Sequence, residues 1–184
     1  EYHTASVCIP PSYVARAHAE FPGLNICTVI GFPLGYNTTA CKVFETQQAV
    51  REGASEVDMV VNLGDVKNGD FDAVEKEIEA LKKAAGDNVL KVIVETCYLT
   101  QEEKIRLCEC VTKAGADYIK TSTGFGTAGA TLEDIALFRA HIGPQVKVKA
   151  AGGIRTREDL EAFCNAGCDR LGCSAAVKVL CEKG

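Results

Sequence analysis

Short apolar runs alternate with amphipathic stretches along the whole chain, and that alternation restricts it to βα units stacked around a parallel sheet. Seven runs read as strands: Ala5–Ile9, Asn25–Phe32, Glu56–Asn62, Val89–Glu95, Tyr118–Thr123, Val146–Ala151 and Arg170–Ser174. Between them, Ser12 is placed to cap a helix through Glu20, and Thr39–Glu52 carries Val43, Phe44, Gln47 and Val50 at helical spacing before Gly53. Asn62-Leu63-Gly64 reads as a turn and Asn68-Gly69-Asp70 as a second break. The helix Phe71–Ala85 then presents Val74, Ile78 and Leu81 on one face and ends at Gly86. Thr100 and Glu103 occupy capping-box positions for Gln101–Lys113. Thr131 caps a helix to His141, Thr156 caps one through Asn165, and a short closing helix spans Ala175–Leu180.

A weak repeat fixes the phase of these units. Gly53-Ala54-Ser55-Glu56-Val57-Asp58, Gly115-Ala116-Asp117-Tyr118-Ile119-Lys120 and Gly167-Cys168-Asp169-Arg170-Leu171-Gly172 each run from a helix-stop glycine into a strand. The fifth residue after the glycine is Asp58, Lys120 and Gly172 in turn, so these three are expected at comparable heights with a common facing. Units this regular close as a (β/α)8 TIM-type barrel, with the active site at the carboxyl ends of the strands. At 184 residues without a linker-like stretch, one domain spanning 1–184 is the expectation.

The net charge of −5 is spread along the chain, so no basic stripe points to nucleic acid or to an anionic membrane. No apolar run approaches the roughly 20 residues of a membrane span, and the first residues lack a signal-peptide pattern, which makes the expected location cytoplasmic. Ten cysteines are scattered singly among strands and helices and read as reduced, mostly small apolar residues. Cys108 and Cys110 face different ways on a helix, and Cys164 and Cys168 have no histidine nearby. With His3, His18 and His141 unpaired by spacing, neither a metal site nor a cofactor is expected. No Cys-x-x-Cys pair favours a redox role.

Lys120 stands out because it occupies the second half of a short strand, immediately before the hydroxyl-rich Thr121-Ser122-Thr123. A strand lysine can be an edge residue facing water. A second one, Lys149, near the end of the next strand argues instead for a site. A lysine nucleophile must shed its proton, and both burial and a second ammonium beside it favour the neutral amine. Asp58 could then relay protons for carbinolamine dehydration, or could be buried only to neutralise a lysine. Gly152-Gly153 and Gly172-Cys173-Ser174 follow the sixth and seventh strands, where such barrels hold phosphate on backbone N–H groups.

Four segments carry a family resemblance: Glu56–Val60, Leu90–Thr96, Tyr118–Phe125 and Val148–Thr156. With both lysine motifs in this order and spacing, the chain resembles deoxyribose-phosphate aldolase from about Ala5 to Leu180. The resemblance implies a metal-free class I aldolase on a barrel, cleaving 2-deoxyribose 5-phosphate to glyceraldehyde 3-phosphate and acetaldehyde. It implies Lys120 as the Schiff-base lysine, Lys149 as the lysine that tunes it and Asp58 as the acid of the proton relay. Phosphate contacts are implied at Gly124, Gly152, Gly153, Gly172 and Ser174, with Arg155 close by. Ser6-Val7-Cys8-Ile9-Pro10 matches the family's cysteine-bearing strand near the start, and a homodimer is implied. The family has a further first strand and helix, so seven of eight strands are expected, with unpaired edges at Ala5–Ile9 and Arg170–Ser174 and a site opened to water. Two other readings stand: a Schiff-base aldolase for a different sugar phosphate, and an inactive phosphate-binding barrel remnant.

Overall fold

The computed structural model describes residues 2–181, so residues 1 and 182–184 of the expected domain lie outside the described residues. Seven parallel strands form one sheet in sequential order: β1 Val7–Cys8, β2 Ile26–Ile30, β3 Glu56–Val60, β4 Val89–Ile93, β5 Tyr118–Lys120, β6 Lys147–Ala151 and β7 Arg170–Gly172. Helices follow as α1 Val14–Glu20, α2 Thr39–Arg51, α3 Leu63–Lys67, α4 Phe71–Ala85, α5 Gln101–Lys113, α6 Leu132–His141, α7 Arg157–Asn165 and α8 Ala176–Cys181. This is the expected βα succession, a TIM-type barrel with seven strands among the described residues. The glycine stops behave as their positions imply: Gly53, Gly115 and Gly167 take φ values of 107°, 72° and 96°, a region that side-chain-bearing residues avoid.

Local chemistry explains most boundaries. Thr100 Oγ1 accepts from Glu103 N at 3.2 Å while Glu103 Oε2 accepts from Thr100 N at 2.7 Å, closing the expected capping box. Thr156 and Asp159 make a second box at the start of α7. Three expectations fail. Ser12 sits inside a 3-10 turn over Pro11–Tyr13, and α1 begins at Val14 without a side-chain cap. The Asn62-Leu63-Gly64 turn is the start of α3, whose cap is Asn62 accepting from Gly64 N at 3.0 Å. The buried face of α2 is Lys42, Thr46 and Ala49, while Phe44 is 63% exposed. A polar face turns inward there because Lys42 Nζ finds Glu77 Oε2 of α4 at 2.8 Å and the Val60 carbonyl at 2.9 Å. Burial pushes the Glu77 carboxyl above its usual range, and Lys42 opposes that push.

Side chains alternate across the sheet, and the two faces have opposite chemistry. Outward, Val57, Met59 and Val61, with Leu90, Val92 and Val94, pack under Val74, Ile78 and Leu81 of α4 and Leu107 and Val111 of α5 to form the hydrophobic core. Inward, the residues are mostly polar or charged, with Val60 and Ile93 on the same face. Neighbouring strands of an eight-strand barrel are staggered by about one residue, so a ring around the axis climbs about two residues between alternate strands. Asp58 lies opposite Lys91, and Lys91 opposite Tyr118, which places Lys120 level with Asp58. Counted this way, Ser6, Glu56, Tyr118 and Arg170 form one ring, Cys27, Lys91 and Lys149 the next, and Cys8, Asp58, Lys120 and Gly172 the third. The equal height expected of Asp58, Lys120 and Gly172 is therefore met.

The lowest ring shows that the sheet curls. Arg170 Nη1 on β7 donates to Ser6 Oγ beside β1 at 3.0 Å and to Glu56 Oε2 at 3.0 Å, and its guanidinium lies 5.7 Å from the centre of the Tyr118 ring. β1 and β7 have no outer strand partner among the described residues, as the seven-strand count leads one to expect. No helix among the described residues is long and apolar enough to cross a membrane.

The Lys42–Glu77 pair yields a stability prediction. Removing one partner of a buried pair leaves an uncompensated charge and costs about 3–5 kcal/mol. Lys42→Met should lose that amount in urea unfolding at pH 7, and Lys42→Met/Glu77→Leu should recover most of it. A single variant within about 0.5 kcal/mol of the parent, the range of an ordinary surface change, would show that the pair carries no stability.

Candidate active site

Asp58 is the centre of the barrel interior and has no exposed surface. Its position follows from alternation in β3: Val57 and Met59 point to the helices, so Asp58 must point to the axis. One carboxylate oxygen, Oδ2, lies 2.7 Å from Lys120 Nζ and 2.7 Å from Lys149 Nζ. The other, Oδ1, lies 2.9 Å from Lys91 Nζ and accepts from the Cys27 thiol at 3.2 Å. Lys91 also reaches Glu56 Oε2 at 2.6 Å, and Glu56 is shared with Arg170. Asp58, Lys120 and Lys149 are thus brought together, and the edge-lysine reading of Lys120 is excluded by its 5% exposure. The expected opening to water shows at Cys8, which faces the axis from β1 and is exposed, while Lys120 and Lys149 are each only 5% exposed.

The electrostatics follow from this packing. Burial alone would raise the Asp58 carboxyl, but Lys120, Lys149 and Lys91 outweigh it and hold it well below the ordinary carboxylate range. Glu56 behaves alike, with burial opposed by Lys91 and Arg170, which bring it down to about 2. Burial disfavours the Lys91 ammonium, yet Asp58, Cys27 and Glu56 hold its proton more tightly than in a free lysine. Two carboxylates, Asp58 and Glu56, therefore face four cations.

Above this cluster the loops after β5 and β6 lock together. A Cβ on Gly129 would lie 2.2 Å from the Gly152 carbonyl oxygen, so only glycine allows this approach. Ala130 N donates to that oxygen at 3.1 Å. Gly124 packs against the same point, since its Cα would be 3.6 Å from a Cβ on Gly152. Gly124 and Gly153 are exposed and Gly152 half-buried. Gly172 ends β7, where a Cβ would meet Ala151 at 3.0 Å and Lys149 Cε at 3.5 Å, so its missing side chain leaves room for the lysine. Ser174 is exposed in the turn before α8, and Arg155 is exposed in the loop after β6.

Sequence reasoning missed Lys91, Glu56, Arg170 and Glu95. Lys91 carried the same signal as Lys120, a lysine inside an apolar strand run, yet passed unremarked. Glu95 is buried at the end of β4 with φ of 56°, and its Oε1 accepts from Thr123 N at 3.2 Å, which holds the loop that follows Lys120. No sequence pattern announces that contact.

The depressed Glu56 carboxyl carries a pH signature. A carboxyl lowered on folding stabilises the protein above its ordinary value near 4.5, and the contribution disappears as the pH falls toward about 2. The shift corresponds to about 3 kcal/mol. Glu56→Gln should be less stable than the parent by that order in urea unfolding at pH 7, and the two curves should converge between pH 4.5 and 2. A gap independent of pH would contradict the ion-pair account.

Comparison with known proteins gives one family model, described as DeoC/LacD family aldolase, matching residues 1–168. The chain is 64% identical over 181 residues to the deoxyribose-phosphate aldolase of Clostridium botulinum strain Eklund 17B, spanning 98% of this chain and 82% of that protein. Among solved structures it is similar to QR15, an aldolase, with a TM-score of 0.91 and 43% identity over 95% of this chain and 79% of that one. It is likewise similar to the tetrameric deoxyribose phosphate aldolase of Aeropyrum pernix, with a TM-score of 0.87 and 35% identity over 95% and 75% of the two chains.

Proposed function

Because the chain belongs to the DeoC/LacD family of aldolases, we propose that it reversibly cleaves 2-deoxy-D-ribose 5-phosphate to D-glyceraldehyde 3-phosphate and acetaldehyde through an imine on Lys120. The observation that carries this reading is the single buried oxygen, Asp58 Oδ2, standing 2.7 Å from both Lys120 and Lys149. A structural ion pair needs one lysine per carboxylate, whereas here a scarce negative charge is divided among several ammonium groups. Loss of one proton relieves the repulsion, and the nitrogen that loses it becomes a nucleophile.

In the cleavage direction the Lys120 amine adds to the aldehyde carbon of the open-chain sugar, and the carbinolamine loses water to give a protonated imine. The imine draws electrons from the bond between the second and third carbons as the neighbouring hydroxyl gives up its proton. Glyceraldehyde 3-phosphate departs and an enamine remains, which is protonated on carbon and hydrolysed to acetaldehyde and free Lys120. Asp58 rests ionised because its carboxyl is held well below the ordinary range, and it takes up a proton only in passing. It acts as the bridge across which a proton passes between Lys120 and Lys149, with Lys149 holding the proton in reserve. Lys91 and Glu56 fix the carboxylate from below. The backbone N–H groups at Gly124, Gly152, Gly153 and Gly172 and the Ser174 hydroxyl bind the phosphate, with Arg155 at the rim.

The substrates are a small sugar phosphate and an aldehyde, without nucleic acid, membrane, metal or cofactor in the reaction. We place the enzyme in the cytoplasm as a homodimer, the A. pernix relative being tetrameric.

Steady-state kinetics test the assignment. Lys120→Leu should abolish cleavage, and Asp58→Asn and Lys149→Leu should each lower kcat by about 10²–10⁴-fold, the range for a lost proton-transfer group. Unphosphorylated 2-deoxyribose should lose at least about 10²-fold in kcat/KM, given roughly 1.5–3 kcal/mol for each hydrogen bond to a charged group. Cleavage that survives Lys120→Leu would refute the imine. Phosphate binding without cleavage in the parent chain would identify a remnant instead of an enzyme.

A further inference from the structure

The rings that gather the lysines bring two thiols against the same carboxylate. Cys8 and Cys27 face each other in register on β1 and β2. Both point to the barrel axis, Cys8 in the ring of Asp58 and Cys27 in the ring below it. One ligand atom from each of Cys8, Cys27 and Asp58 lies within 4.8 Å of the other two, and Cys27 Sγ is 3.2 Å from Asp58 Oδ1. Two thiolate sulfurs and a carboxylate oxygen around a tetrahedral zinc-type ion stand about 3.5–3.8 Å apart, within a small side-chain rotation of this arrangement. Among the described residues no other group of three such side chains is gathered this way. Cys8 is exposed, which gives an ion a route to the buried pair.

Three ammonium groups beside Asp58 would seem to repel a cation, but the exchange is neutral. The thiols of Cys8 and Cys27 release two protons as one divalent ion arrives, so the charge inside the barrel does not change. Lys91 Nζ stands 3.5 Å from Cys27 Sγ, whereas the Cys8 thiol, burial and Asp58 push the Cys27 thiol up, so the ion has to displace that proton as it binds. Thiolate ligands select Zn²⁺ or Cd²⁺ over the oxygen-seeking Mg²⁺ and Ca²⁺.

We propose that Cys8, Cys27 and Asp58 form an inhibitory site for a thiophilic divalent cation of the Zn²⁺ type, which takes Asp58 Oδ1, the oxygen that holds Lys91, and by drawing charge from the carboxylate makes it a poorer proton carrier for Lys120 and Lys149 at Oδ2. The inhibitory half of this inference rests on the imine reading above. The binding half does not.

Cadmium titration of the reduced full chain under anaerobic conditions tests both halves. The parent should take up one more Cd²⁺ per chain than Cys8→Ala or Cys27→Ser, with a thiolate-to-cadmium charge-transfer band in the difference spectrum. Signals from the exposed thiols Cys41, Cys164 and Cys181 are common to all three proteins and cancel. Zn²⁺ should erase the band and lower the borohydride-trapped acetaldehyde adduct at least tenfold in the parent, with recovery on chelation and no effect in Cys8→Ala. Equal Cd²⁺ uptake by parent and variants, or a parent mass lower by two hydrogens from a Cys8–Cys27 disulfide, would overturn the site. A cysteine-dependent band with an unchanged adduct yield would overturn the inhibition. If no adduct forms even without metal, it is the imine reading that fails, and the cadmium band still decides the site.

Discussion

One carboxylate, Asp58, holds the interior together. It is fully buried, and its two oxygens take Lys120 and Lys149 on one side and Lys91 and Cys27 on the other. A buried ion pair is an uncertain source of stability, because desolvating the charges costs as much as their attraction returns. Here the arrangement has a different consequence. Lys91, Lys120 and Lys149 are all anchored to the same carboxylate, so the amines converge from three strands on a space of a few ångströms.

The rest of the fold accommodates this charged axis by moving its hydrophobic core elsewhere. Alternation sends Val57, Met59, Leu90, Val92, Ile119 and Val148 outward under the helices, and burial of that layer supplies the driving force for folding. The interior tolerates its charges because the charged groups there are paired: Glu56 with Lys91 and Arg170, Arg170 also with Ser6, and Asp58 with Lys91, Lys120 and Lys149. The proposed chemistry and the proposed metal site both arise from this interior, since thiols and amines are gathered by the same stagger.

Much of this was legible in the sequence, for reasons that differ from element to element. Helix-stop glycines such as Gly115 dictate backbone conformation directly, so the phase of the units could be read without the fold. The shared height of Asp58 and Lys120 followed from that phase. The inward face of α2 could not be read, because Phe44 offers the apolar signal while the buried lysine depends on Glu77, 35 residues away. Lys91 was missed although its strand pattern matched that of Lys120. The pairing of Cys8 with Cys27 needs strand register, which spacing along the chain does not contain. The resemblance to deoxyribose-phosphate aldolase agrees with the family match and with the gathering of Asp58, Lys120 and Lys149.

The central claim is that Lys120 is the amine that captures an aldehyde. Borohydride reduction in the presence of acetaldehyde, followed by intact mass and peptide mapping, reads that event directly. The account predicts one added two-carbon unit, mapped to Lys120 and absent from Lys120→Ala, while Lys149 and Lys91 stay unmodified. An adduct on Lys149, or none on a folded protein, would contradict it.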